Sequence, residues 1–201
     1  MFSNFCGVDA VLFNAADLFK IAGFVNEKLV AVSVGISQLV GGLFSCFLIE
    51  NVGRRKLLLT SALGMSVSLI TLGVFFEISV PANQISWLPI LSVFLFNSLF
   101  SLAWGPLPWV LISEMFPVRA RGFPCSFVIM VFAVTQFFET TTYHSMTTVL
   151  TIQGAYWVYA GCCILGFLFV YFLLPETKGK TLEEIEDLFN RSVKHAYERI
   201  E

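Results

Sequence analysis

The sequence predicts an all-α, polytopic membrane protein with six transmembrane helices, and three observations carry that reading. The chain is 57% hydrophobic and only 13% charged, whereas a soluble domain is about a quarter charged. Its mean hydropathy is +0.80. The charges it does have bracket long uncharged runs, and the basic ones collect at alternate ends of those runs.

About 20 apolar residues rising 1.5 Å each cross a hydrocarbon core of roughly 30 Å. Between Lys28 and Glu50 lie 21 uncharged residues, between Lys56 and Glu77 lie 20, and between Glu77 and Glu114 lie 36. Another 17 run from Gly122 to Phe138, and 36 separate Glu139 from Glu176. Spans are therefore expected near 29–49, 57–76, 88–112, 122–142 and 154–174. Phe2 to Phe19 supplies a sixth, weakened by Asp9 and Asp17. It has no basic leading region or small-residue cleavage site, so a signal peptide is not expected.

With six spans, the turns around 50–56 and 114–121 and the tail after 174 share one side. They hold Arg54, Arg55, Lys56, Arg119, Arg121, Lys178, Lys180, Arg191, Lys194 and Arg199. The other side holds only Lys20 and Lys28, which completes the 12 basic residues. Cytoplasmic loops of membrane proteins carry the Lys/Arg excess, which places both termini in the cytosol. The five cysteines, Cys6, Cys46, Cys125, Cys162 and Cys163, all fall in apolar spans without a CxxC pair. They read as buried structural thiols, and no metal or cofactor is expected. A net charge of −2 without a basic stripe excludes nucleic acid as a partner.

The fourth span contains WGPLPWVLISEMFP, Trp104 to Pro117. Pro106 and Pro108 each remove a backbone donor, at a cost of roughly 3 kcal/mol in a helix interior. In lipid the freed carbonyls need a neighbouring helix or a wet cavity. A Gly-Pro-x-Pro break at Gly105, Pro106 and Pro108 therefore reads as a hinge beside a cavity, the alternative being a kink made for packing. Trp109 follows the break. Its indole face can stack on an apolar sugar face while its N–H donates, unless it is an interfacial-belt residue as Trp87 is. Trp104 fits either role.

At the cytosolic face a glutamate opens each basic cluster. Glu50 precedes Arg54 and Arg55 and stands one helical turn from Arg54, close enough to pair. Glu114 precedes Arg119 and Arg121, and Glu176 sits in Pro-Glu-Thr-Lys-Gly. These charges can form a network that locks and releases helix ends; simple topological anchoring accounts for the arginines but not for the glutamates. Beyond them, Thr181 and Glu184 form a capping box ahead of an amphipathic surface helix.

ENVGRR, GPLPW followed by SEMFPVRARG, and PETKGKTLEEIEDLF resemble, in order and spacing, the second half of the sugar porter family of the major facilitator superfamily. The resemblance covers nearly the whole chain. It implies that the six helices form one half of a twelve-helix fold whose sugar site lies between two halves that rock to alternate access. Trp109 matches the family's binding-site tryptophan. Glu50, Arg54, Arg55, Glu114, Arg121 and Glu176 match its cytosolic charge network. The stretch FSNFCGVDAV resembles the seventh-helix motif, two glutamines followed by Gly-Ile-Asn. Ser3 and Asn4 stand at the glutamine positions, and Gly7, Val8 and Asp9 at the Gly-Ile-Asn. Gln38 falls where many members have a sugar-binding asparagine and Ser101 where many have a glutamate, while Phe132 and Ala133 replace an Asn-Trp pair. Asn4, Asp9, Gln38 and Trp109 are thus the candidate substrate residues. Asp9 reads equally as a functional intramembrane carboxylate or as a helix-end residue reaching water.

The implied function is transport of a hexose or disaccharide across the bilayer, as facilitator or symporter, within a longer twelve-helix protein. Residues 1–175 would form the transmembrane half and 176–201 the cytosolic helix and tail. One half cannot close a cavity made by two, so an N-terminal six-helix half is the expected partner and the plasma membrane the implied location. The alternative is a non-transporting sugar sensor or regulatory half. An intramembrane enzyme is not expected: no GxSG serine occurs, and the two histidines, His144 and His195, form no pair for haem.

Overall fold

In lipid an exposed N–H or C=O has no water to bond, so an apolar chain satisfies its backbone inside its own helices. The computed structural model describes residues 2–12, 27–77, 87–115 and 122–174, and it is helical through nearly all of them. The elements are α1 (Phe2–Phe5), α2 (helical residues 8–12), α3 (Glu27–Val52), α4 (Arg54–Glu77) and α5 (Trp87–Leu99). A π-helical turn, Phe100–Trp104, then leads to α6 (Leu107–Met115) and α7 (Gly122–Leu173). Five stretches are long and apolar enough to cross a bilayer: Val32–Ile49, Arg54–Glu77, Trp87–Val110, Cys125–Thr147 and Val149–Leu173. They coincide with five of the expected spans to within a few residues. Of the sixth, residues 2–12 are described as α1 and α2, and residues 13–19 lie outside the described residues, as do 176–201 with the capping box.

The sequence places a link of about a dozen residues between the last two spans; the structure replaces it with a single residue. Thr151 breaks α7 with φ 67° and ψ 168°. Tyr143 and Tyr159, eight positions either side of it, stack with ring centroids 6.4 Å apart. Sixteen residues of straight helix would separate them by about 24 Å. α7 is therefore a hairpin of two spans, turned where one residue adopts the left-handed region.

α4 is the central element. It packs most extensively on α7 and next on α5, burying Leu57, Leu58, Met65, Leu69 and Leu72 together with Ser61, Ala62 and Gly73. Small residues let helix backbones approach where lipid supplies no hydrophobic drive between helices. The same device joins α3 to α5, where a Cβ on Gly41 would lie 2.3 Å from the Ser98 carbonyl oxygen. The outer side of α3 exposes Leu39, Leu43, Phe44 and Phe47. The link between α1 and α2 meets α7 at Gly7, whose φ is +78° and whose Cβ would fall 2.5 Å from the Tyr159 ring. Any side chain there meets both a backbone and a packing objection.

Candidate functional site

An i→i−4 ladder would pair the N–H of residue 108 with the Trp104 carbonyl; Pro108 has none to give. The structure supplies a substitute from another span. Ser3 Oγ, on α1, donates to the Trp104 carbonyl oxygen at 3.1 Å. On the other side of the break the ladder widens rather than stops, with Gly105 N donating to the Phe100 carbonyl at 2.9 Å in a π-type bond. Trp104 itself is a core residue. It is 4% exposed, its Nε1 donates to the Leu58 carbonyl of α4 at 3.1 Å, and a Cβ on Gly166 would lie 2.8 Å from its ring. This resolves its open reading in favour of packing. Gly105 has ordinary helical angles, φ −71° and ψ −66°, and the nearest atom to a Cβ there is at 3.6 Å. The interruption is therefore the work of the two prolines, and glycine at 105 is permitted rather than required.

Beyond the break the character changes. Trp109 on α6 is 40% exposed, and its ring meets Phe132 of α7 edge-on at 5.1 Å with an interplanar angle of 61°. Asn4 reaches the same point from α1. Its Nδ2 donates to the Phe132 carbonyl at 2.8 Å and to Thr135 Oγ1 at 2.7 Å. One turn further along, Gln136 Nε2 donates to Asp9 Oδ2 at 2.7 Å. Three of the four candidate substrate residues, Asn4, Asp9 and Trp109, thus converge on one stretch of α7, residues 132–139. Gln38 does not join them; it is exposed on α3, which packs chiefly on α5 and the π-helical turn.

The convergence also reassigns work. Asn4 is 2% exposed and both hydrogens of its amide are committed to α7, so in this arrangement it ties two helices together and offers no donor to a ligand. The indole of Trp109 packs edge-on with Phe132 and keeps part of its surface exposed. That suits stacking on an apolar face of a small polyhydroxylated molecule.

Sequence reading missed Thr135, Gln136 and Glu139. Glu139 entered it only as the end of an uncharged run, yet it lies within the span Cys125–Thr147. It is 4% exposed; Oε1 accepts from the Ala10 backbone N–H at 3.3 Å, and Oε2 has no hydrogen-bond partner. The available signal was a single carboxylate about 12 Å from one end and 21 Å from the other of a membrane helix.

At one end of the expected charge network the backbone is not a single helix. α3 ends at Val52, Gly53 adopts φ 96°, and Arg54 begins a new helix, so Glu50 and Arg54 are not one turn apart on a common helix. Glycine in the left-handed region ends the first helix and re-aims the second. What the structure shows at this turn is Arg55 reaching the end of α7: Nη2 donates to the Tyr171 carbonyl at 2.6 Å, and the guanidinium lies 5.8 Å from the Tyr171 ring centroid. The side chains of Glu50 and Glu114, and the whole of Arg121 and Glu176, lie outside the described residues.

Comparison with known proteins bears on this arrangement. The family model described as "Sugar (and other) transporter" matches residues 1–189. The chain belongs to that family. A facilitated trehalose transporter, Tret1 of Bombyx mori, is 33% identical over 190 residues, covering 92% of this chain and 38% of its own. A probable polyol transporter 6 of Arabidopsis thaliana is 38% identical over 199 residues, covering 94% and 40%. Among solved structures, the proton:xylose symporter XylE bound to 6-bromo-6-deoxy-D-glucose superposes with a TM-score of 0.81 at 30% identity, covering 94% of this chain and 40% of its own. The chain therefore spans about two-fifths of the length of these relatives. The all-α membrane fold and family membership stand on these matches, and the family is one of transporters.

Proposed function

We propose that this chain forms the C-terminal, six-helix half of a sugar or polyol transporter that works by alternating access with an N-terminal half. Trp109 carries the reading. It is an exposed tryptophan immediately beyond a helix break, edge-on to a second aromatic, in a family whose similar members are named as trehalose, polyol and xylose transporters. Trp109 would stack on the substrate, and Gly105, Pro106 and Pro108 would let α6 move while the π-helical turn stays anchored. Glu50, Arg54, Arg55, Glu114, Arg121 and Glu176 would form a latch at the cytosolic face, with both termini on that side and the protein resident in the plasma membrane.

The test is uptake of radiolabelled trehalose, xylose and a polyol by this chain co-expressed with an N-terminal half. Trp109→Leu keeps apolar bulk but removes the indole face and its donor. It is expected to weaken apparent affinity tenfold or more, about 1.4 kcal/mol, with insertion unchanged. Unchanged affinity refutes the role given to Trp109. No uptake of any of the three by the assembled wild type would favour a non-transporting half.

A further inference from the structure

Phe132 is backed by polar groups that are spent on one another. Its carbonyl oxygen accepts twice, from Asn4 Nδ2 at 2.8 Å and from Thr135 Oγ1 at 2.8 Å. Asn4 Nδ2 gives its second hydrogen to Thr135 Oγ1 at 2.7 Å, which closes a triangle. A carbonyl has two lone pairs, an amide nitrogen two hydrogens and a hydroxyl one, so every donor in the triangle is used inside it, as are both lone pairs of the carbonyl. Asn4 and Thr135 are buried, and one turn further on Gln136 Nε2 is engaged with Asp9 at 2.7 Å. What α7 shows in front of the triangle is carbon: the half-buried Phe132 ring, followed by the exposed Ala133 and Val134.

The two rings give this a consequence for binding. Phe132 and Trp109 stand at 61° with centroids 5.1 Å apart, so they make two walls of an apolar corner. A pyranose that lays its C–H face on the indole brings one edge up to Phe132. Most edges of a hexose carry a hydroxyl there. Set against the phenyl ring, that hydroxyl loses its hydrogen bonds to water and meets carbon, and the triangle behind the ring has no donor left to give. An apolar wall rejects an added hydroxyl by up to about a hundredfold.

We infer that Phe132 sets the specificity of the substrate site. It selects sugars that present a C–H rather than a hydroxyl at the edge beside it, which places pentoses and deoxyhexoses ahead of the parent hexose. The inference rests on the transport reading and narrows its substrate class. Asn4 and Thr135 are positioning residues here: by closing the triangle they hold the stretch of backbone that carries the ring against Trp109.

The test is competition against uptake of radiolabelled xylose by this chain co-expressed with an N-terminal half. The competitors are glucose and its monodeoxy analogues, one for each hydroxyl except the anomeric one. The analogue whose missing hydroxyl faces Phe132 is expected to compete roughly tenfold or more better than glucose. Phe132→Asn puts an amide where the ring stood and is expected to bring glucose and that analogue within about threefold of each other. Phe132→Leu keeps the wall apolar and is expected to preserve the order. A packing role alone would change the amount of inserted protein and the total uptake, but not the ratio between competitors. Glucose competing as well as every analogue overturns the inference whether or not the variants insert, and so does an order that Phe132→Asn leaves unchanged. If none of these sugars enters or competes, the transport reading fails and the role of Phe132 falls with it.

Discussion

Ser3 and Pro108 should be energetically coupled although 105 positions separate them in the chain, because both act on one carbonyl oxygen. Pro108 withholds the N–H that a regular helix would offer Trp104 O, and Ser3 Oγ replaces it at 3.1 Å. Ser3 is 7% exposed, so water does not take over when its hydroxyl is removed. Interhelical hydrogen bonds in membrane proteins average about 0.6 kcal/mol and reach about 1.7, while orphaning a buried acceptor costs about 1–3. Ser3→Ala alone is therefore expected to destabilise by about 1 kcal/mol. In a Pro108→Ala background residue 108 regains an N–H and the carbonyl no longer depends on Ser3. There the same substitution is expected to cost only a few tenths of a kcal/mol, leaving a coupling of about 0.5–1 kcal/mol. The assay is a double-mutant cycle by reversible unfolding in mixed micelles on titration with a denaturing detergent. Substitutions that add within about 0.3 kcal/mol would refute the idea that the break is capped from α1.

Further outcomes follow from single contacts. Gly7→Ala forces a side chain into φ +78° and to 2.5 Å from the Tyr159 ring; a loss of about 3 kcal/mol or more is expected, read as a fall in thermal stability in detergent. Gly105→Ala is expected to be near neutral in the same measurement, since its backbone is helical and the nearest atom stands at 3.6 Å, whereas a hinge that needs glycine would lose transport. Asn190-Arg191-Ser192 is a glycosylation sequon placed in the cytosol by the charge asymmetry, so it should remain unmodified in the secretory pathway. A glycosidase-sensitive mass shift lost in Asn190→Gln would invert the topology.

The spans were legible because lipid imposes one rule on every residue of a run, and a charge is a local violation of it. That same rule blurs what happens inside a span. Helices apolar on nearly all sides carry little pattern to say which face meets protein, so the small residues of α4 announce their role only once α7 lies against them. Asn4 and Glu139 show the limit most directly. Each is one polar residue whose meaning depends on a partner more than 125 positions away, Thr135 for the first and Ala10 for the second. The break at Trp104–Trp109 was visible in its prolines, but which of the two tryptophans is anchored and which is open depends on Leu58, Gly166 and Phe132. At 50–54 the acid–arginine spacing suggested a helical pair, and a single glycine in the left-handed region was enough to redirect it.

Trp104 is gripped by α4, by the returning limb of α7 and by Ser3 of α1, while the helix that starts three residues later is held far less tightly at Trp109. Mechanically this is a lever with a fixed bearing and a short arm. The nine residues of α6 make an arm of about 13 Å. A swing on the order of 20°, the size of an ordinary proline kink, would carry its far end by about 4–5 Å while the bearing does not move. Displacement would then grow toward the end that bears Glu114, so a small rearrangement beside Trp109 is magnified at the membrane face rather than damped.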